Sequence, residues 1–207
     1  MAERHSGYAK VAGDKFFTPF WVWDVLLERE AFEGPALEPA VGEIATAEYI
    51  EARLGYEMDY TDISLRLDFF DVAPGTYRSI ITNPPWSNGL GARFVEHALA
   101  VTRPLRGKVA MLLPHGFDTA LDFDRRSLFG DGSVLAHKIV ITDRIRWRNL
   151  PQKKQGPSKV HCWYVFDHTH EGRAGTTYVY DADPSPEAVA RRVKRQARWA
   201  EQGLVAA

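Results

Sequence analysis

The chain has 207 residues, 45% hydrophobic and 26% charged, enough for one globular domain to bury a core of its own. Its single cysteine, Cys162, excludes an internal disulfide and a cysteine-rich metal site, and suits a reducing cytoplasm; no run is long and apolar enough to span a membrane. The net charge of −1 hides a split: residues 1–100 hold 8 Lys/Arg against 16 Asp/Glu and the remainder 18 against 11, so the second half can present a basic face to a polyanion.

Residues 1–13 are polar, carry no apolar centre of signal-peptide type, and are expected to be flexible, with 14–207 forming a single domain. Phe16-Phe17-Thr18-Pro19 then precedes an apolar stretch at helical spacing, residues 21–27. Thr18 is expected to cap that helix, with Pro19 as its first residue, leaving a positive end suited to a carboxylate. Residues 36–42 read as a first strand closing in a turn, followed by a helix over 45–54. Gly42 would let the backbone approach a bound small molecule. Residues 56–63 alternate toward a second strand with Asp62 at its tip, where an acid can hold ribose hydroxyls. Asp68-Phe69-Phe70-Asp71 next sets a carboxylate beside two rings, a pairing that a surface acid next to core phenylalanines also explains.

The stretch around which the rest is organised is Ser79-Ile80-Ile81-Thr82 followed by Asn83-Pro84-Pro85-Trp86. The β-branched run is a buried strand, and two prolines must end it, since neither has an N–H for a ladder and each restricts the residue before it. Asn83 is thereby held at a strand's C-terminal edge, where open α/β sheets bind ligands. If the Asn83 side-chain oxygen and the Pro84 carbonyl both accept from an exocyclic amine, they favour a pyramidal nitrogen whose lone pair points at an electrophile. Trp86 offers a face on which a planar base can stack. The plainer reading is a turn that closes a strand, with Trp86 in the core.

Helical spacing returns over 91–102, and 109–114 is a buried strand followed by His115, which reads as structural. Residues 118–129 are polar and partly helical, and 137–142 form another strand. The stretch 144–159 holds Arg144, Arg146, Trp147, Arg148, Lys153, Lys154 and Lys159 with no acid, a pattern suited to phosphate contacts with stacking, or to an exposed linker. Residues 160–166 and 176–180 read as a terminal strand pair across a turn at Glu171-Gly172, and 186–202 as a basic helix.

With these motifs in this order, residues 16–166 resemble the class I S-adenosyl-L-methionine (SAM)-dependent DNA methyltransferases that modify exocyclic amines, most nearly small adenine-N6-type enzymes of phages and prophages. The resemblance implies a Rossmann-like α/β fold: a mostly parallel seven-stranded sheet with one antiparallel strand and helices on both faces. It implies SAM as cofactor and no metal, with Phe17, Thr18 and Pro19 near the methionine moiety and Glu38, Ala40 and Gly42 in the cofactor loop. Asp62 and Ile63 would serve the ribose, and Asp68 and Phe69 the cofactor adenine. Asn83, Pro84, Pro85 and Trp86 would be catalytic, Asn83 also facing the cofactor. Trp86, Ser87, Arg144, Arg146, Trp147, Lys153 and Lys154 would contact a nucleic acid, DNA foremost, with base flipping required on a duplex. The order of cofactor motif before catalytic motif resembles the gamma arrangement.

Two departures stand out. The family usually has a second glycine two positions after the first, where this chain has Gly42-Glu43-Ile44, so Ile44 is expected to narrow the cofactor pocket or to weaken SAM affinity. The tail beyond Phe166 is also short for a target-recognition domain, which implies loose sequence preference or readout by loops. Cytosine N4, an RNA base or a protein glutamine amide share the chemistry, and a nucleic-acid-binding fold weakened in catalysis is the alternative from another class.

Overall fold

The computed structural model describes residues 15–119, 128–130, 133–150 and 159–201. The expectations for residues 1–13, for 120–127 and for Lys153 and Lys154 lie outside these. Among the described residues no helix is long and apolar enough to cross a membrane.

The strands are β1 (Ala36–Glu38), β2 (Asp59–Tyr60), β3 (Ser79–Thr82), β4 (Lys108–Pro114), β5 (Leu135–Ile141), β6 (His161–Asp167) and β7 (Gly175–Val179). They form one seven-stranded sheet in the order β2-β1-β3-β4-β6-β5-β7. β2, β1, β3 and β4 pair in parallel, β6 runs antiparallel between β4 and β5, and β7 is parallel to β5. The expected mostly parallel sheet with a single reversed strand is the one that forms. The helices are α1 (Phe20–Leu27), α2 (Ile44–Leu54), α3 (Leu90–Thr102) and α4 (Pro186–Glu201).

Consecutive strand residues point to opposite faces, so Ile80-Ile81 feeds two cores at once. Ile81, Ala110, Leu112 and Trp163 pack with Val22 and Trp23 of α1 and Ile50 of α2. Ile80, Val109, Met111 and Tyr164 pack with Phe94, Val95 and Ala98 of α3 on the other face. Burying each such aliphatic or aromatic side chain contributes about 1.5–3 kcal/mol. The Trp163 indole also donates to the Val22 carbonyl at 2.9 Å, fixing α1 on the sheet.

Three elements differ from the sequence reading. β2 is only two residues long because the ladder to β1 ends where Thr61 N–H reaches the Glu38 carbonyl; the chain then turns, and the Asp62 side chain accepts from Ser64 N–H. β7 does not pair with β6, since β6 already has β4 and β5 on its two edges, and it adds to the free edge of β5 instead. Pro19, not Thr18, occupies the cap position of α1, its ψ of 144° keeping it extended, so that the helix begins at Phe20 and the Thr18 hydroxyl is released for another partner.

Candidate active site

The parallel strands β1, β3 and β4 deliver Glu38, Thr82 and Pro114 to one edge of the sheet, and the antiparallel β6 starts there with His161. Asn83 follows β3 on that edge. Its amide nitrogen donates to Thr18 Oγ1 at 3.0 Å and to the Phe16 carbonyl at 3.3 Å. A backbone carbonyl can only accept, so the nitrogen must face Phe16 and the oxygen must face the other way. That oxygen is buried with no hydrogen-bond partner, a state that costs about 1–3 kcal/mol if nothing fills it. Asn83 and Pro85 line a cavity of about 530 Å³, which extends to Ala40, Gly42, Asp62, Ile63, Asp68 and Phe69.

The acidic side of this cavity is built by backbone turns. Gly42 sits at φ +64°, a left-handed backbone conformation that a side chain would strain, so a bare turn is favoured there. The Gly42 N–H donates to Asp62 Oδ2 at 2.9 Å, while Ser64 N–H and hydroxyl hold Oδ1. Burial alone would lift the Asp62 carboxyl, but these hydrogen bonds outweigh it and hold its pKa below the ordinary value, keeping it ionised. Asp68 caps a short turn by accepting from Phe70 N–H, and Phe69 lies buried beneath it. Ile63 is 74% exposed at the rim. Ile44 is 47% exposed as the first residue of α2 and is not part of the cavity wall, so it does not narrow the pocket.

Glu38 lies behind the wall and does not line the cavity. It is 1% exposed, its Oε1 accepts from Ala40 N–H at 2.9 Å and from Thr82 Oγ1, and burial pushes its pKa up to about 8. Its first service is therefore to tie β1 to β3 beneath the site. Phe17, Thr18, Pro19 and Pro84 likewise back the wall.

Trp86 is half-buried in an aromatic cluster. It stacks on Phe16 with ring centroids 5.4 Å apart at 16°, and meets Trp147 at 5.6 Å and His161 at 5.0 Å. Its indole N–H donates to the Leu112 carbonyl at 3.1 Å. The face that a base would use is covered by Phe16, whose ring also lines the cavity. Ser87 is exposed at the start of a short turn beyond Trp86.

The stretch after β5 divides in two. Arg144 is exposed and Arg146 half-buried, but Ile145 and Trp147 turn into the core at 0% and 3% exposure. Trp147 thus packs against Phe16, Trp86 and His161 and presents no outward stacking platform. Arg148 and Asn149 lace the 15–18 segment in place: Arg148 N–H donates to the Phe17 carbonyl and its Nε to the Thr18 carbonyl, while Phe17 N–H donates to Asn149 Oδ1 and the Asn149 amide to the Lys15 carbonyl. The Arg148 guanidinium also pairs with Glu43 and lies 4.2 Å above the Phe20 ring. Arg148→Gln should lower stability by about 1–2 kcal/mol and loosen the wall that carries Phe16, read as a lower thermal midpoint together with weaker ligand binding in the cavity. A variant with an unchanged midpoint would show that the lacing is dispensable.

Several wall residues escaped the sequence reading. Leu90, Arg93 and Phe94 enter from the start of α3, and Lys15 and Ser64 from the loops, while Phe70, the second of the two rings beside Asp68, lines the wall as well. Their spacing of three and four would have put Leu90, Arg93 and Phe94 on one face of a helix that begins directly after the proline corner; the missing piece was which face turns to the cleft.

No protein-family model matches the chain, and no curated protein matches it by sequence. Among solved structures, a protein from work on complex assembly and conformational transition of the type I R-M system superposes with a TM-score of 0.51 at 14% identity, over 95% of this chain and 53% of that one. A modification subunit assigned to a type I restriction enzyme from Vibrio vulnificus YJ016 superposes at 0.50 and 14%, over 92% and 54%. The fold is methyltransferase-like. At such identities the likeness extends to the fold alone, and the chain spans about half the length of the solved proteins it matches.

Proposed function

We propose that this methyltransferase-like chain is a SAM-dependent N-methyltransferase whose acceptor is an exocyclic amine of a nucleic-acid base, adenine N6 in DNA before any other. The observation that carries this reading is the Asn83 amide: its nitrogen is pinned by Thr18 and Phe16, and its buried oxygen is unpartnered in a residue that lines the cavity.

The cavity residues fit SAM. The ionised Asp62 suits a ribose diol, Phe69 with Asp68 suits an adenine ring and its amino group, and the bare turn at Gly42 leaves space that a side chain would fill. SAM, when bound, supplies a methyl group on a sulfonium and leaves as the thioether. Asn83 Oδ1, unpartnered in a residue that lines the cavity, would accept one amine hydrogen, and the Pro84 carbonyl would take the other if the acceptor reaches past Pro85 to it; two such bonds would take the nitrogen lone pair out of conjugation. Held in this way the amine would need no strong base, because its proton would pass to water only after the nitrogen had taken the methyl group. The preorganised Asn83 amide would do most of the work, because Thr18 and Phe16 fix it before the substrate arrives.

Nucleic acid is favoured over a glutamine amide by the basic second half of the chain and by the exposed Arg144 beside the site. The solved neighbours named above come from restriction-modification systems, which favours DNA over RNA. The reading of a binding protein without catalysis loses its motive, since Ile44 lies outside the cavity wall.

The deciding experiment incubates the protein with radiolabelled SAM and separate DNA, RNA and protein pools, then identifies the modified nucleoside or residue. N6-methyladenine in the DNA pool is the expected product; label in the protein pool alone would reject the nucleic-acid reading, and no calorimetric heat with millimolar SAM would reject the enzyme. DNA binding should weaken steeply with added salt.

A further inference from the structure

His161 opens β6 opposite Pro114 of β4 and Ile141 of β5, on the sheet edge that carries Asn83. It is 3% exposed, and neither of its ring nitrogens has a hydrogen-bond partner. Its ring lies 5.0 Å from the Trp86 indole and 5.2 Å, edge to face, from Trp147. Buried polar groups almost always find partners, so an imidazole with two orphaned nitrogens next to the proline corner calls for a reason. Packing alone does not supply one, because a phenylalanine would fill an aromatic cluster without the desolvation penalty.

His161 does not line the cavity itself but is linked to it through two rings. The Phe16 carbonyl accepts from the Asn83 amide, the Phe16 ring lines the cavity and stacks on Trp86, and Trp86 in turn touches His161. A base that takes the place of Phe16 against the indole would enter the ring cluster that holds His161, from the side on which Asn83 lies. Burial, and after it the positive charges of Lys159 and Arg144, push the His161 pKa down to about 3. At neutral pH the imidazole thus offers one N–H donor and one bare acceptor, the pair that a base edge can use.

We propose that His161 is a specificity-determining residue, its imidazole N–H donating to the ring nitrogen next to the amine-bearing carbon of the acceptor base once Phe16 has swung off Trp86. The inference rests on the nucleic-acid reading of the site and adds to it the group that tells a base from a simple amide.

Two variants and two altered substrates test it. DNA built with 7-deazaadenine or 1-deazaadenine keeps the amine and removes one ring acceptor at a time. On ordinary DNA, His161→Phe should lower kcat/KM by about tenfold or more, with SAM affinity by calorimetry unchanged, and His161→Gln, which restores a side-chain N–H, should recover part of the loss. The wild type should lose a similar factor on 1-deazaadenine, which lacks the ring nitrogen next to the amine-bearing carbon, and keep its rate on 7-deazaadenine; a loss confined to 7-deazaadenine would overturn the assignment. His161→Phe, by contrast, should lose nothing further on 1-deazaadenine. Such non-additivity is a signature that a merely structural role would not give. Wild-type kcat/KM in both variants, or the same extra loss on the analogues with and without the imidazole, would overturn the proposal and leave the methyltransferase reading intact. If His161→Phe does not fold, His161→Gln with the two analogues decides by the same comparison. A wild-type protein that methylates no DNA would instead remove the underlying reading, and this one with it.

Discussion

Replacing Asn83 with alanine should reduce methyl transfer by roughly a thousandfold or more and leave SAM binding within about twofold of wild type. The asymmetry follows from geometry. The amide touches Thr18 and Phe16 through its nitrogen and leaves its oxygen unpaired, so its strongest interaction is made only when an amine is present. An interaction gained on the way to the transition state raises the rate, not ground-state affinity. Thr18→Val supplies the graded companion. It removes one of the two acceptors that orient the amide while the Phe16 carbonyl still holds the nitrogen, so the rate should fall by about tenfold. Equal losses of transfer and of SAM binding in Asn83→Ala would mean that the residue shapes the cofactor pocket and does not act on the acceptor.

Glu38→Gln should make the protein more stable at pH 8 and remove its loss of stability between about pH 6.5 and 8. Burial raises the Glu38 carboxyl from its ordinary 4.5 to about 8, so between these values the native state holds a proton that the unfolded chain has already released. Stability contributed by that proton is complete below the lower value and declines as pH rises through the window, by about 1.4 kcal/mol per pH unit, or about 3 kcal/mol by pH 7. Glutamine mimics the protonated acid: its carbonyl oxygen can accept from Ala40 N–H and Thr82 Oγ1 as Oε1 does now, and it has no proton to lose. Asp62 works in the opposite sense, its lowered pKa giving stability that is present at neutral pH and lost on acidification. Urea unfolding across pH 4 to 9 should show Glu38→Gln gaining on the wild type as pH rises through the window, with a falling wild-type limb above about pH 6.5 that the variant lacks. Below pH 6.5 the buried neutral His161 pulls both profiles the other way. Parallel curves would mean that the carboxyl is ionised in the fold.

The parts of the site that were legible in the sequence lie where strands stop. Asn83 follows a β-branched strand and precedes two prolines, Gly42 follows β1, and Asp62 follows β2, so local pattern places all three on one edge. Local pattern is silent about partners far along the chain. The hydrogen bond between Phe17 N–H and Asn149 Oδ1 spans 132 positions, and nothing near either residue announces it. The same limit explains Thr18, whose spacing before Pro19 suits a cap while its hydroxyl serves Asn83, 65 positions away. It also explains Trp147, where a run of basic residues suggested an outward aromatic, but alternation with Ile145 carries both side chains inward. The pairing of β7 with β5 in place of β6 depends on which sheet edge is left open, a property of the assembled sheet and not of either strand.

The lacing of residues 15–18 to residues 148–149 has a consequence for when this protein can first act. One jaw of the cleft is made early and the strap that holds it comes from much later in the chain, so a ribosome must deliver the polypeptide at least through residue 149 before the amide is aimed. A half-made chain would therefore be chemically silent, and in denaturant the capacity to transfer a methyl group should vanish together with the sheet and not ahead of it.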